Sequence, residues 1–243
     1  MNFTAFIEFL NSLYIEEVER ASRVNNQERI ARMVFTGDFN DDVENFGQES
    51  NRRQAMRTAR CVKILGKGVV KVVHRCDQAK ENNTLDLSDC QLMQMPDAVY
   101  HLMRNTPLVT CNLSSNVIAK IPPKFPLSFS LITELDLSNN RISALPQEMV
   151  NCSQLEIINI SSNSFVILPH VLLDIPSLAK INAGKNFIAD VDVEAVVSCG
   201  NIEQLNLEGN PLNPTTHQQL QDIQSIRITL SPRQREEWED LSI

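Results

Sequence analysis

The side chains best suited to chemistry are scattered. His74 and Cys76 lie two residues apart. No third group stands nearby to orient them. His101, His170 and His217 fall at unrelated points and recur with no nucleophile. Only seven glycines are present, and none form a phosphate-binding loop. Asp38, Asn40, Asp42 and Glu49 have the one-three-five-twelve spacing of a calcium loop. Position six of that loop is Val43, where a sharp turn needs glycine. An acidic solvated loop is the better reading. Neither an enzyme, a cofactor nor a metal is expected.

The charge points away from nucleic acid. The net value is -8, and phosphate binding needs a basic face. Residues 1–51 carry 10 acids and 4 bases, and residues 81–243 carry 19 acids and 9 bases. Only residues 52–80, with 9 bases and 1 acid, are basic. This run reads as the solvated face of a helix, or as a membrane-surface or partner-binding segment. The six cysteines, at 61, 76, 90, 111, 152 and 199, are spread singly. Without paired or clustered cysteines, a reducing compartment, the cytoplasm, is expected. Met1 to Glu8 lacks the basic start and apolar core of a secretory leader. No apolar run is long enough to span a bilayer, so no stable membrane insertion is expected.

Beneath these side chains runs a repeat. Six segments alternate aliphatic and polar residues: Leu85-Asp-Leu87, Cys111-Asn-Leu113, Leu135-Asp-Leu137, Ile158-Asn-Ile160, Ile181-Asn-Ala183 and Leu205-Asn-Leu207. Each is followed by a fixed Cys or Asn: Cys90, Asn116, Asn140, Asn163, Asn186 and Asn210. These recur after 26, 24, 23, 23 and 24 residues. The alternation predicts short strands, and the period lets each coil return beside its start. Six stacked strands at about 4.8 Å give a sheet on the order of 30 Å long. The Asn (or Cys) side chains should turn inward and bond neighbouring backbone as a ladder, because buried polar groups must be paired. A second apolar pair, such as Ile118/Ile121 or Phe165/Leu168, closes the far side. Proline at 96, 122, 146 and 169 predicts an extended or 3₁₀ convex side rather than an α-helical one.

This pattern resembles the leucine-rich-repeat family. The resemblance implies an α/β solenoid with a curved parallel sheet of about six repeats, helically capped. It also implies a protein-interaction module with no catalytic site. The expected layout is an N-terminal helical extension over 1–60, a capping helix over 61–82, repeats over 83–212, and a C-terminal cap and tail over 213–243. Open solenoid ends require such caps. At the N-terminal side, Val69, Val70, Val72, Val73 and Cys76 suit a helix. At the C-terminal side, 215–222 reads as a helix, and Ile226, Ile228 and Leu230 read as an edge strand. Within the extension, Phe3, Phe6, Ile7, Leu10 and Tyr14 have amphipathic spacing.

Solenoids bind through their concave sheets. The outward strand positions read Thr84, Thr110, Glu134, Ile157, Lys180 and Gln204 in one row. The other row reads Asp86, Asn112, Asp136, Asn159, Asn182 and Asn206. Ile157 is an aliphatic residue among polar ones. Glu134, Asp136, Ile157, Asn159, Lys180 and Asn182 are the candidate protein-binding residues. The leading expectation is a monomeric cytoplasmic adaptor or scaffold. Its rivals are a regulatory protein working through the N-terminal amphipathic and basic helices, and an extracellular ligand-binding repeat protein.

Overall fold

A computed structural model of the chain describes residues 71–232. The N-terminal extension, the calcium-like loop, the basic run before Lys71 and the start of the expected capping helix lie outside these residues. The chain divides into two compact units, Met1–Val73 and His74–Ile243, and nearly all described residues belong to the second.

Seven three-residue strands form one sheet: β1 (Thr84–Asp86), β2 (Thr110–Asn112), β3 (Glu134–Asp136), β4 (Ile157–Asn159), β5 (Lys180–Asn182), β6 (Gln204–Asn206) and β7 (Arg227–Thr229). They lie in sequence order, every neighbouring pair is parallel, and the sheet stays open. The first six are the repeat strands, and β7 is the edge strand that Ile226 and Ile228 signalled. The architecture is an α/β solenoid.

The alternation decides which face is buried. The central residues Leu85, Cys111, Leu135, Ile158, Ile181 and Leu205 are all at most 2 % exposed. The second aliphatic residue of each repeat, Leu87 through Leu207, is also buried. Each coil then turns through a left-handed residue just before the fixed Cys or Asn. These are Asp89, Ser115, Asn139, Ser162, Lys185 and Gly209, with φ between 50° and 73°. Such a conformation is unfavourable for most side chains. Backbone bonds from coil to coil offset it, as where Asn139 N donates to Ser161 O at 3.0 Å.

The convex side departs from the expectation. It carries short α-helices at Asp97–Leu102, Lys124–Ser128 and Val193–Ser198, and 3₁₀ turns only at Gln147–Asn151 and His170–Leu172. Coil length explains the difference. The two 3₁₀ coils are those of 23 residues, while the coils of 24 and 26 residues carry α-helix. A 3₁₀ turn advances more per residue than an α-turn, so it spans the same side with fewer residues. The prolines do not exclude helix either. Pro96, Pro146 and Pro169 occupy the N-cap, and on the second segment Pro123, the residue after Pro122, does so. At a helix start the missing N–H costs nothing.

Residues 71–82 are helical. In the second unit this helix buries Cys76 and Ala79 completely. Its Arg75 donates to Ser88 O and pairs with Asp86 at 3.5 Å. At the other end, the helix Pro214–Gln221 starts at Asn213, whose side chain accepts from Thr216 N at 2.8 Å. His217 is buried and holds Ser231 O at 2.9 Å, just beyond β7.

Candidate binding face

The ladder side chains set the geometry of the face above them. Asn116 Oδ1 accepts from Cys90 N at 3.0 Å and Leu92 N at 2.9 Å, while its Nδ2 donates to Leu87 O and Leu113 O. Asn140 accepts from Ile118 N and donates to Leu113 O, Leu137 O and Ser138 O. Asn163 accepts from Ile142 N and donates to Leu137 O and Ile160 O. Asn186 accepts from Asn163 N and Phe165 N and donates to Ile160 O and Ala183 O. Asn210 accepts from Ile188 N and donates to Ala183 O and Leu207 O. Cys90 substitutes a weak donor, its thiol reaching Ser88 O at 3.4 Å. Each repeat coil is therefore fixed to the one before it by buried or part-buried bonds.

On the concave face, the strand register places Glu134, Ile157 and Lys180 side by side on β3, β4 and β5. Glu134 is exposed, while Ile157 and Lys180 are half-buried. Strand spacing puts the Glu134 and Lys180 backbones about 10 Å apart, with Ile157 between them. The face thus offers an acid and a base on either side of an aliphatic centre.

The second row, Asp136, Asn159 and Asn182, is also in register, but its side chains have a prior task. Asp136 Oδ1 accepts from Ser138 N at 2.8 Å, Asn159 Oδ1 from Ser161 N at 3.1 Å, and Asn182 Oδ1 from Gly184 N at 3.2 Å. Asp86, Asn112 and Asn206 make the same bond to the residue two ahead. These side chains form the turn that ends each strand. Asn159 Nδ2 also bonds Asp136 Oδ2 at 3.3 Å, so this row is laced together as well as outward-facing. The sequence shows polar residues there, but only the bond to the backbone N–H two residues ahead reveals the turn role.

An exposed apolar cluster went unnoticed in the sequence. Val166 and Phe187 are each 60 % exposed and Ile167 57 %. Phe187 N bonds Phe165 O, and Ile167 bridges Asp190, so the three lie on adjacent coils.

The pairing of His74 with Cys76 is taken apart. His74 is exposed, whereas Cys76 is fully buried. Desolvation, with Asp77 adding to it, pushes the Cys76 thiol up to about 12. Such a thiol is a packing group rather than a nucleophile. Among the described residues no helix is long and apolar enough to cross a membrane.

Comparison with known proteins matches the "Leucine rich repeat" model at residues 106–165 and 130–188. The chain is 34% identical over 94 residues to Leucine-rich repeat-containing protein 20 of Homo sapiens, covering 36% of this chain and 50% of that protein. The mouse protein of that name is 33% identical over 91 residues. The chain thus spans about half the length of these relatives. Tsukushi of Gallus gallus is 26% identical over 155 residues, covering 63% of this chain and 42% of that protein. Among solved structures, the TLR13-ssRNA13 complex aligns with a TM-score of 0.51 at 17% identity, over 61% of this chain and 21% of that one. That likeness concerns the fold alone.

Proposed function

Since the chain is a leucine-rich-repeat protein similar to Leucine-rich repeat-containing protein 20, we propose that it is an intracellular adaptor whose concave sheet docks a partner protein. The observation that carries this reading is the acid–aliphatic–base row Glu134, Ile157 and Lys180 in register on three neighbouring strands. An apolar centre flanked by polar groups is the usual make-up of a binding hot region. Asp136, Asn159 and Asn182 hold the strand ends and present their remaining polar atoms beside it. The working unit in this reading is the repeat array 83–212, with 61–82 and 213–243 as caps and 1–60 as an extension. It acts as a monomer on a protein rather than on nucleic acid. Among the described residues Cys76, Cys111, Cys152 and Cys199 are in no disulfide, which supports a reducing compartment.

The test is a quantitative affinity pulldown from cell lysate. It compares the intact chain with a Glu134→Lys, Ile157→Asp, Lys180→Glu variant whose fold is checked by circular dichroism. Loss of the partners bound by the intact chain supports the concave face and identifies them. Retention of every partner overturns it. If those partners are instead lost in Phe187→Asp, the working surface is the apolar cluster on adjacent coils.

A further inference from the structure

The sheet ends differently at its two edges. Beside β1, Arg75 donates to Ser88 O and pairs with Asp86. Beside β7, no bond among the described residues reaches the outer side of the strand. Strand geometry fixes which peptide groups this leaves. Arg227 N donates to Glu203 O at 2.9 Å, and Thr229 O accepts from Leu207 N at 2.9 Å, so the peptide groups of both residues point at β6. Successive residues of a strand alternate in this direction, so the N–H and C=O of Ile228, and of Leu230 after it, point outward.

A groove of about 440 Å³ opens along that edge, between β7 and the residues Leu220, Gln221 and Ile223. Most of its lining is aliphatic in type, yet what it exposes is more polar than apolar. The outward peptide groups join the side chains of Gln221 and Arg227 as its polar groups. A row of unpaired N–H and C=O groups is matched by another backbone and is a template for a further strand.

The side chains say what that strand should carry. Arg227 is exposed, stands next to Gln204 in the concave row, and makes no ion pair among the described residues. The next position in that row therefore favours a carboxylate. Ile228 continues the column of Leu205 but is only half-buried, so the next position in that column favours an aliphatic side chain. An acid followed by an aliphatic residue meets both demands, and β3 itself has this order at Glu134-Leu135.

We propose that the outer edge of β7 is a second interaction surface, apart from the row Glu134, Ile157 and Lys180. It takes an extended acid–aliphatic segment of a partner protein as an eighth strand, in the parallel sense of the six pairs before it.

The probe is the peptide acetyl-Thr-Glu-Leu-Asp-Leu-Ser-amide, the sequence of residues 133–138, added to isotope-labelled full-length protein and followed by amide chemical shifts. In the free protein the Ile228 and Leu230 amides should exchange with solvent faster than those of Arg227 and Thr229. The peptide should then shift the amides from Arg227 to Leu230 saturably. In the register of the repeat strands its glutamate and aspartate N–H groups face β7, as Glu134 N faces Val109 O. N-methylation at those two residues should weaken binding about tenfold, whereas N-methylation at the two leucines, on the far side, should leave it near the parent value. Ile228→Pro removes only an outward N–H, so the protein should stay folded and lose the peptide. If that variant does not fold, the two methylated peptides, tested on the unaltered protein, decide. Ile228 and Leu230 amides that exchange as slowly as their inward neighbours overturn the proposal, because the edge is then already paired within the chain. Shifts that spare β7, or equal affinity of the two methylated peptides, overturn it as well. So do β7 shifts produced by raising the protein concentration alone, since a second copy then fills the edge.

Discussion

Asparagine carries two different duties within a few residues of each repeat. The ladder Asn turns inward and satisfies backbone of two coils, whereas the strand-end Asn or Asp closes its own turn. Asn140 shows what the first duty is worth. Its removal leaves Ile118 N–H without its acceptor and strips the side-chain donor from Leu113 O, Leu137 O and Ser138 O. A stranded buried polar group costs its desolvation, so Asn140→Ala should lose about 1–3 kcal/mol. Asn210 serves the same role at a half-buried position nearer the open end, and Asn210→Ala should lose less. Urea midpoints at neutral pH, compared at equal denaturant slope, rank the two. The ladder was legible in the sequence because its residue recurs at a fixed place after every strand. The turn duty of Asp136, Asn159 and Asn182 was not, since an outward polar residue looks the same whether it waits for a partner or holds its own backbone. Only the bond to the N–H two residues ahead separates them.

The connecting elements follow a simpler rule than their composition suggests. Proline on four of the convex segments looked like a bar to α-helix, yet it stands at their N-caps, and segment length selects 3₁₀ or α. The period was in plain view in the sequence, but its one-residue variations carried the helix type. Start signals differ among these elements in a way that stability can report. The proline-capped segments have no side-chain cap, whereas the helices Val193–Ser198 and Pro214–Gln221 start at Asp192 and Asn213, which accept from Ala195 N and Thr216 N. Asn213→Ala removes the cap from the last helix and should cost about 1 kcal/mol. Asn213→Ser keeps an acceptor for Thr216 N without setting a second carboxylate against Asp190, and should cost much less. Thermal midpoints of the two variants, followed by circular dichroism, isolate the cap: equal losses would assign the effect to the other contacts of Asn213, its bond to Asp190 included.

At the scale of the whole molecule, the thiols link the stacked core to pH. Cys76, Cys111 and Cys152 point into the array, and desolvation raises all three above their ordinary 9.0. Cys76 rises to about 12 and Cys152 to about 11, while Cys111, fully buried and near Cys76 and Cys152, rises further. The buried phenol of Tyr100 moves the same way, by desolvation and by the nearby Asp97, and its hydroxyl has no hydrogen-bond partner among the described residues. The sign of the effect follows from proton binding. Above about pH 9 the unfolded chain releases these protons while the folded chain retains them, so the folded state binds more protons and stability falls as pH rises. Below that point the same groups are neutral in both states and contribute no slope. Asp190 acts in the opposite sense at the acid end. Its carboxylate is held low by the Thr216 hydroxyl, the Val191 N–H and the Asn213 side chain, so that contribution is lost as pH falls through its folded value. Urea midpoints should therefore be level between neutral pH and about 9 and then decline steadily toward 11. Cys152→Ala, though less stable at pH 7, should show a shallower alkaline decline, because it removes one of the linked protons. An identical decline in that variant would mean that ionisation of Cys152 is not coupled to folding, and would assign the alkaline loss to the remaining thiols and Tyr100.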